Sequence, residues 1–133
     1  ILIDFTGFAC VNCRKMEENV WPQEQILDIL AGDVVLISLY VDDKEELPEE
    51  QQITVEHNGY SKELEKVGQK WSFFQTVNFK SNTQPLYVIL SPDLEVLAEP
   101  VGYTPDAVEY KAWIEAGVKK FEEMNTTTPT ASN

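Results

Sequence analysis

The chain has 133 residues, 43% hydrophobic and 25% charged, a balance that suits one folded domain with its own core rather than a disordered or membrane-spanning chain. Ten Lys and Arg against 23 Asp and Glu give a net charge of −13, so nucleic acid and anionic lipid surfaces repel it at long range. No apolar run approaches the roughly 20 residues that a bilayer demands, the longest being Val34 to Leu39, and no direct membrane insertion is expected.

Ile1 to Phe5 is short, apolar and rich in β-formers, and reads as a buried strand that breaks at Gly7. No charged leader or cleavage site precedes it, so the chain reads as a piece of a longer parent whose targeting or membrane segment lies elsewhere. From Cys10, the spacing of Cys13, Met16 and Val20 predicts a helix, interrupted near Trp21-Pro22. Pro22 is expected to open a second helical stretch carrying Ile26, Leu27 and Leu30, which Gly32 stops. Val34 to Val41 predicts a second buried strand. Asp42 to Gly59 crowds Asp42, Asp43, Glu45, Glu46, Glu49 and Glu50 around Pro48, and is expected to be a solvated surface loop.

A third helix is expected from about Ser61 to Phe74, with Leu64, Val67, Trp71 and Phe74 on its core face, followed by a loop over Asn78 to Thr83. Pro85 to Leu90 predicts a strand, Ser91-Pro92-Asp93 a turn, and Leu94 to Ala98 a strand returning beside it. Thr104 is the expected N-cap and Pro105 the first-turn proline of a last helix bearing Val108, Trp113, Ile114, Val118 and Phe121. Asn125 to Asn133 reads as a disordered tail. The order implies an α/β fold: a βαβ unit with parallel strands, a polar or helical insertion, then an antiparallel hairpin and a covering helix on a mixed sheet. Such sheets host many activities, so the site must decide.

The two cysteines, Cys10 and Cys13, stand three apart where strand and loop give way to helix. A zinc site takes about four ligands, and the single histidine, His57, lies in the polar excursion, so no metal is expected. Covalent haem attachment needs a histidine where Arg14 stands, and no other cofactor is implied. A purely structural disulfide would close a tiny loop and stabilise little. Redox chemistry fits better: at a helix N-terminus, exposed N–H groups and the helix dipole favour the thiolate of Cys10, while Cys13, one turn further in, is placed to resolve a mixed disulfide.

The segment Ile1-Leu2-Ile3-Asp4-Phe5-Thr6-Gly7-Phe8-Ala9-Cys10-Val11-Asn12-Cys13 resembles the active-site segment of thioredoxins. Asp4, six residues before the first cysteine, takes the place of that family's buried aspartate, and Gln84-Pro85 before an apolar strand is similar to its cis-proline element. The closer resemblance is to the C-terminal periplasmic thioredoxin-like domain of the transmembrane thiol:disulfide interchange proteins of the DsbD family, especially those of Bacteroidetes. In these, Cys-Val-x-Cys is followed four residues later by glutamate, as Glu17 follows Cys13. Two departures stand out: Ala9 occupies the place of the tryptophan before the first cysteine, with Phe8 adjacent, and Lys44 to Lys80 is longer than the family minimum.

The resemblance implies a thioredoxin-like fold over residues 1–124, truncated at its N-terminal side, that reacts with protein thiols and disulfides. It implies a periplasmic domain that takes electrons from a membrane-embedded cysteine pair of its parent protein and passes them to another thiol protein. Disulfide oxidation or isomerisation of folding proteins, and a non-catalytic adaptor, are the alternatives. Asp4 and Glu17 would tune thiol pKa values and move protons, against the thiolate-favouring charges of Arg14 and Lys15. Phe8 would contribute apolar contact surface, and Gln84 and Pro85 would meet an extended segment of the substrate.

Overall fold

The computed structural model describes residues 1–57 and 59–127. Strand β1 (Leu2–Thr6) is central in a three-stranded sheet of order β2-β1-β5. It pairs in parallel with β2 (Leu36–Tyr40), from Leu2 opposite Leu36 to Thr6 opposite Tyr40, and antiparallel with β5 (Leu86–Ile89), with Phe5 opposite Leu86. Between β1 and β2 run helices α1 (Val11–Asn19) and α2 (Glu24–Gly32), so the crossover expected of a parallel pair is present. The break between them falls at Trp21-Pro22. Pro22 sits in the connecting turn rather than opening α2, whose N-cap is Gln23.

Side-chain alternation along β1 divides the interior into two layers. Leu2 packs with Met16, Val20, Ile26, Tyr87, Tyr110 and Ile114, from α1, α2, β5 and the last helix, α4 (Ala107–Thr127). Ile3 and Phe5 face the other way and pack with Leu86, Val88, Phe74 and Phe79, the last two from α3 (Val67–Phe79). In the first layer, the Trp21 indole N–H donates to the Tyr110 hydroxyl at 3.2 Å, and Tyr87 meets the Tyr110 ring edge-on. Burial pushes both phenols above their ordinary pKa, so they stay neutral.

Several elements differ from the sequence expectation. Asp42 to Gly59 is not a loop throughout: after a 3₁₀ turn at Glu49–Gln51, β3 (Ile53–His57) pairs antiparallel with β4 (Tyr60–Leu64). The helix expected from Ser61 therefore begins at Val67, and Leu64, assigned to its core face, ends β4 instead and is 4% exposed. Ile53, Thr54 and Val55 supply the β-branched run, and Gly59 adopts φ +82 at the turn. Helix α3 runs into the expected Asn78–Thr83 loop and ends on Lys80 in the left-handed region at φ 53. That conformation costs a side-chain-bearing residue roughly 1 kcal/mol relative to glycine, so Lys80→Gly is expected to stabilise the fold by about that amount, read as a raised denaturant midpoint.

Strand β2 is shorter than Val34 to Val41 and is not buried: it forms the sheet edge, with Ile37 40% exposed. The strand expected at Leu94 to Ala98 is reduced to single bridges, Leu90 with Val96 and Tyr87 with Val101. Pro100, which has no N–H to give, lies in the slack between them, and Leu94 turns the chain at φ 67. Asp106, not Thr104, caps α4, its carboxylate accepting from the Val108 and Glu109 amides, because the helix starts one residue after it. Thr104 donates instead to the Gly102 carbonyl. Helix α4 extends to Thr127, and residues 128–133 of the expected tail lie outside the described residues.

The insertion closes tightly on the sheet. The Leu47 amide donates to the Glu65 carbonyl, and the Val67 amide to the Glu45 carbonyl. A Cβ on Gly68 would come within 2.6 Å of the Asp43 nitrogen and the Val41 carbonyl oxygen, so only glycine lets α3 approach that backbone.

Candidate functional site: a cysteine pair and a buried carboxylate

Parallel pairing with β2 and antiparallel pairing with β5 bring three connections to one end of the sheet. Thr6 leads through Gly7, Phe8 and Ala9 to Cys10; Tyr40 leads to Asp42; and Pro85 enters β5 one register step beyond the Phe5–Leu86 pair, opposite Thr6. The Gln84–Pro85 peptide bond is cis, and Pro85 is buried.

Cys10 is the N-cap of α1 and is bonded to Cys13 as a disulfide, with 5.2 Å between their Cα atoms. The Cys13 amide donates to the Cys10 sulfur at 3.1 Å, so a first-turn N–H that no carbonyl can satisfy is aimed at the atom that would carry a thiolate charge. The first turn of α1 holds no acidic residue to oppose it. Cys13 is 1% exposed, whereas Cys10 is half-buried and flanked by Phe8 and Val11, 62% and 67% exposed. Phe8 stacks on Tyr40, ring centroids 4.2 Å apart.

Asp42 and Arg14 hold the loop before Cys10. The Asp42 carboxylate accepts from the Phe8 amide at 2.9 Å and the Ala9 amide at 3.2 Å. Burial alone would raise its pKa, but these amides, with the Arg14 charge, hold it below the ordinary carboxylate value. The Arg14 guanidinium donates to the Thr6 hydroxyl and the Gly7 carbonyl, both at 3.1 Å, and pairs with Glu17 at 3.0 Å.

Asp4 lies on the α1 side of β1 and is 1% exposed. One carboxylate oxygen accepts from the Ser38 hydroxyl at 3.0 Å, across the parallel register; the other has no protein partner among the described residues. Burial pushes its pKa up to about 6, the Ser38 bond pulls against the rise, Glu17 adds to it and Arg14 opposes it. A buried carboxyl with its pKa raised to about 6 is suited to accepting and returning a proton.

Of the residues singled out in the sequence, Cys10 and Cys13 are bonded to each other at the start of α1, and Glu17 follows on the same helix, pairs with Arg14 and acts on the Asp4 charge. Phe8 lies in the loop before Cys10, and Gln84 and Pro85 lead into β5 at the same end of the sheet. Sequence reading missed Ser38, taken as part of an apolar strand, and Asp42, taken as one acid among many in a solvated run. Position was the available signal for Asp42, since it follows a parallel strand directly and ligand sites collect at the carboxyl ends of such strands. Among the described residues, no group of His, Cys, Asp and Glu is placed to hold a metal ion, and no helix is long and apolar enough to cross a membrane.

A bonded cysteine pair at the N-terminus of the helix that follows a central strand, with a buried carboxylate on that strand, is the arrangement of a thioredoxin-like site. Residues 1–117 match the family model described as the thioredoxin-like domain, and the chain belongs to that family. Among solved structures it is similar to a DsbH oxidoreductase, with a TM-score of 0.61 and 17% identity over 89% of this chain and 71% of that one. No curated protein matches the chain.

Proposed function

We propose that this domain is a thiol:disulfide oxidoreductase of the protein-disulfide reductase type. The observation that carries the reading is the asymmetry of the pair: Cys10 half-exposed at the N-terminus of α1, and Cys13 buried one turn in, on the side of Asp4. In the reduced domain the Cys10 thiolate attacks a partner's disulfide, forming a mixed disulfide and expelling one partner thiolate. Asp4 takes the Cys13 proton, and the Cys13 thiolate attacks the Cys10 sulfur. That step expels the second partner thiolate and leaves the Cys10–Cys13 disulfide, two electrons having passed to the partner. Phe8 supplies apolar contact, Gln84 and Pro85 meet an extended segment of the substrate as an added strand, and Glu17 with Arg14 sets the charge around Asp4.

The resemblance of the motif to the DsbD family supports a finer role. The domain accepts electrons from a membrane-embedded cysteine pair of its parent protein and hands them to periplasmic thiol proteins. Measurement of the Cys10–Cys13 reduction potential tests this role. A value in the region of thioredoxin, about −270 mV, is expected; one near about −120 mV would make the domain an oxidant and overturn the reductive relay.

A further inference from the structure

Gln75 is 0% exposed in α3, on a helix whose sheet-facing neighbours Phe74 and Phe79 are aromatic. A buried amide costs stability unless both its ends are bonded, and an apolar residue would fill that space without the cost. Both ends are spent on one loop. The Gln75 side-chain amide donates to the Thr83 carbonyl at 2.8 Å, and its oxygen accepts from the Gln84 side chain at 3.1 Å. The Gln84 amide also donates to the Asn82 carbonyl, closing the loop on itself. Among the described residues, none hydrogen-bonds the backbone N–H or carbonyl of Gln84.

We infer that Gln75 is a positioning residue that fixes the Thr83–Gln84 backbone, and so presents Gln84 to extended polypeptide substrates while leaving reaction with small disulfides untouched. This rests on the proposed exchange function and concerns its selectivity, not its chemistry. Gln75 reaches neither cysteine through these bonds; it acts through the loop. Orienting the loop in advance spares a bound segment the cost of ordering it.

The test compares two oxidants of the reduced domain, a disulfide-linked extended peptide and a small aromatic disulfide with no peptide backbone. For Gln75→Met, KM for the peptide is expected to rise about tenfold, with kcat, the small-disulfide rate and the Cys10–Cys13 reduction potential little changed. Equal loss on both oxidants, or no loss on the peptide, would overturn the inference. Gln75→Glu gives an independent reading should Gln75→Met not fold. Ionised, it cannot donate to Thr83; protonated, it can. The ratio of peptide to small-disulfide rates cancels the thiolate fraction, and is expected to recover toward wild type as pH falls through the Glu titration. A flat ratio would count against the inference. A wild-type domain inert toward both disulfides would instead remove the exchange function itself.

Discussion

Cys13→Ser is expected to stop turnover and to leave the domain covalently joined to its substrate through Cys10. The variant keeps the half-exposed nucleophile at the N-terminus of α1 and removes the buried thiol that would attack the mixed disulfide from behind. Turnover is expected to fall by three orders of magnitude or more, on the order of what losing an essential covalent step costs. Non-reducing gel electrophoresis after mixing with a disulfide-bearing protein checks it: a band at the summed mass, released by dithiothreitol, is the expected product. Cys10→Ser should give no such band, because Cys13 is 1% exposed. A band with Cys10→Ser and none with Cys13→Ser would reverse the two roles.

The second large effect concerns Asp4, where burial and function pull in opposite directions. Its pKa rises from 3.8 to about 6 on folding. Between those values the folded state binds more protons at Asp4 than the unfolded one, so the contribution of Asp4 to stability is most favourable below pH 3.8 and declines as pH climbs through 6. Above pH 6 the ionised carboxylate therefore costs the fold about 3 kcal/mol. Asp4→Asn keeps an oxygen for the Ser38 hydroxyl and removes the charge. It is expected to stabilise the oxidised domain by up to about 3 kcal/mol at pH 7.5, with the gain fading to nothing near pH 4. Urea unfolding of both proteins at the two pH values decides it, and equal differences at both would show that Asp4 is not held as described. The same substitution is expected to lower the thiol pKa values by removing a nearby negative charge, while slowing the Cys13 step that needs a proton acceptor.

What could be read in the sequence was chemistry carried by neighbours in the chain. Cys10, Cys13 and the helix they open are adjacent, and Asp4 betrays itself as a charge inside an apolar run. The break at Trp21-Pro22 needs only the rules of proline. Ser38, Asp42 and Gln75 could not be read this way, because each owes its meaning to a partner far along the chain: Ser38 to Asp4, Asp42 to the Phe8 and Ala9 amides, Gln75 to Thr83 and Gln84. The β3–β4 pair was hidden by its company. Acidic residues around Pro48 mask the Ile53-Thr54-Val55 run, although the Asn58-Gly59 dipeptide that follows is a hairpin signal in its own right. Strand β2 misled in the opposite sense, since apolar composition suggested a buried strand where the sheet ends.

The closure at the root of the insertion bears on how this domain can change. Glu45 and Val67, Leu47 and Glu65 are tied across the two stems, and Gly68 seats α3 directly on Val41 and Asp43. The stems therefore meet before the hairpin begins, and α3 bonds the segment after β2 directly, the Gly68 amide donating to the Asp43 carbonyl. Sequence between Leu47 and Leu64 is expected to tolerate lengthening, shortening or exchange for a foreign loop without moving the loop that Asp42 holds before Cys10. The fold thus carries a graft point beside its cysteine-bearing end, where new partner preferences can be tried while the proposed disulfide exchange is left alone.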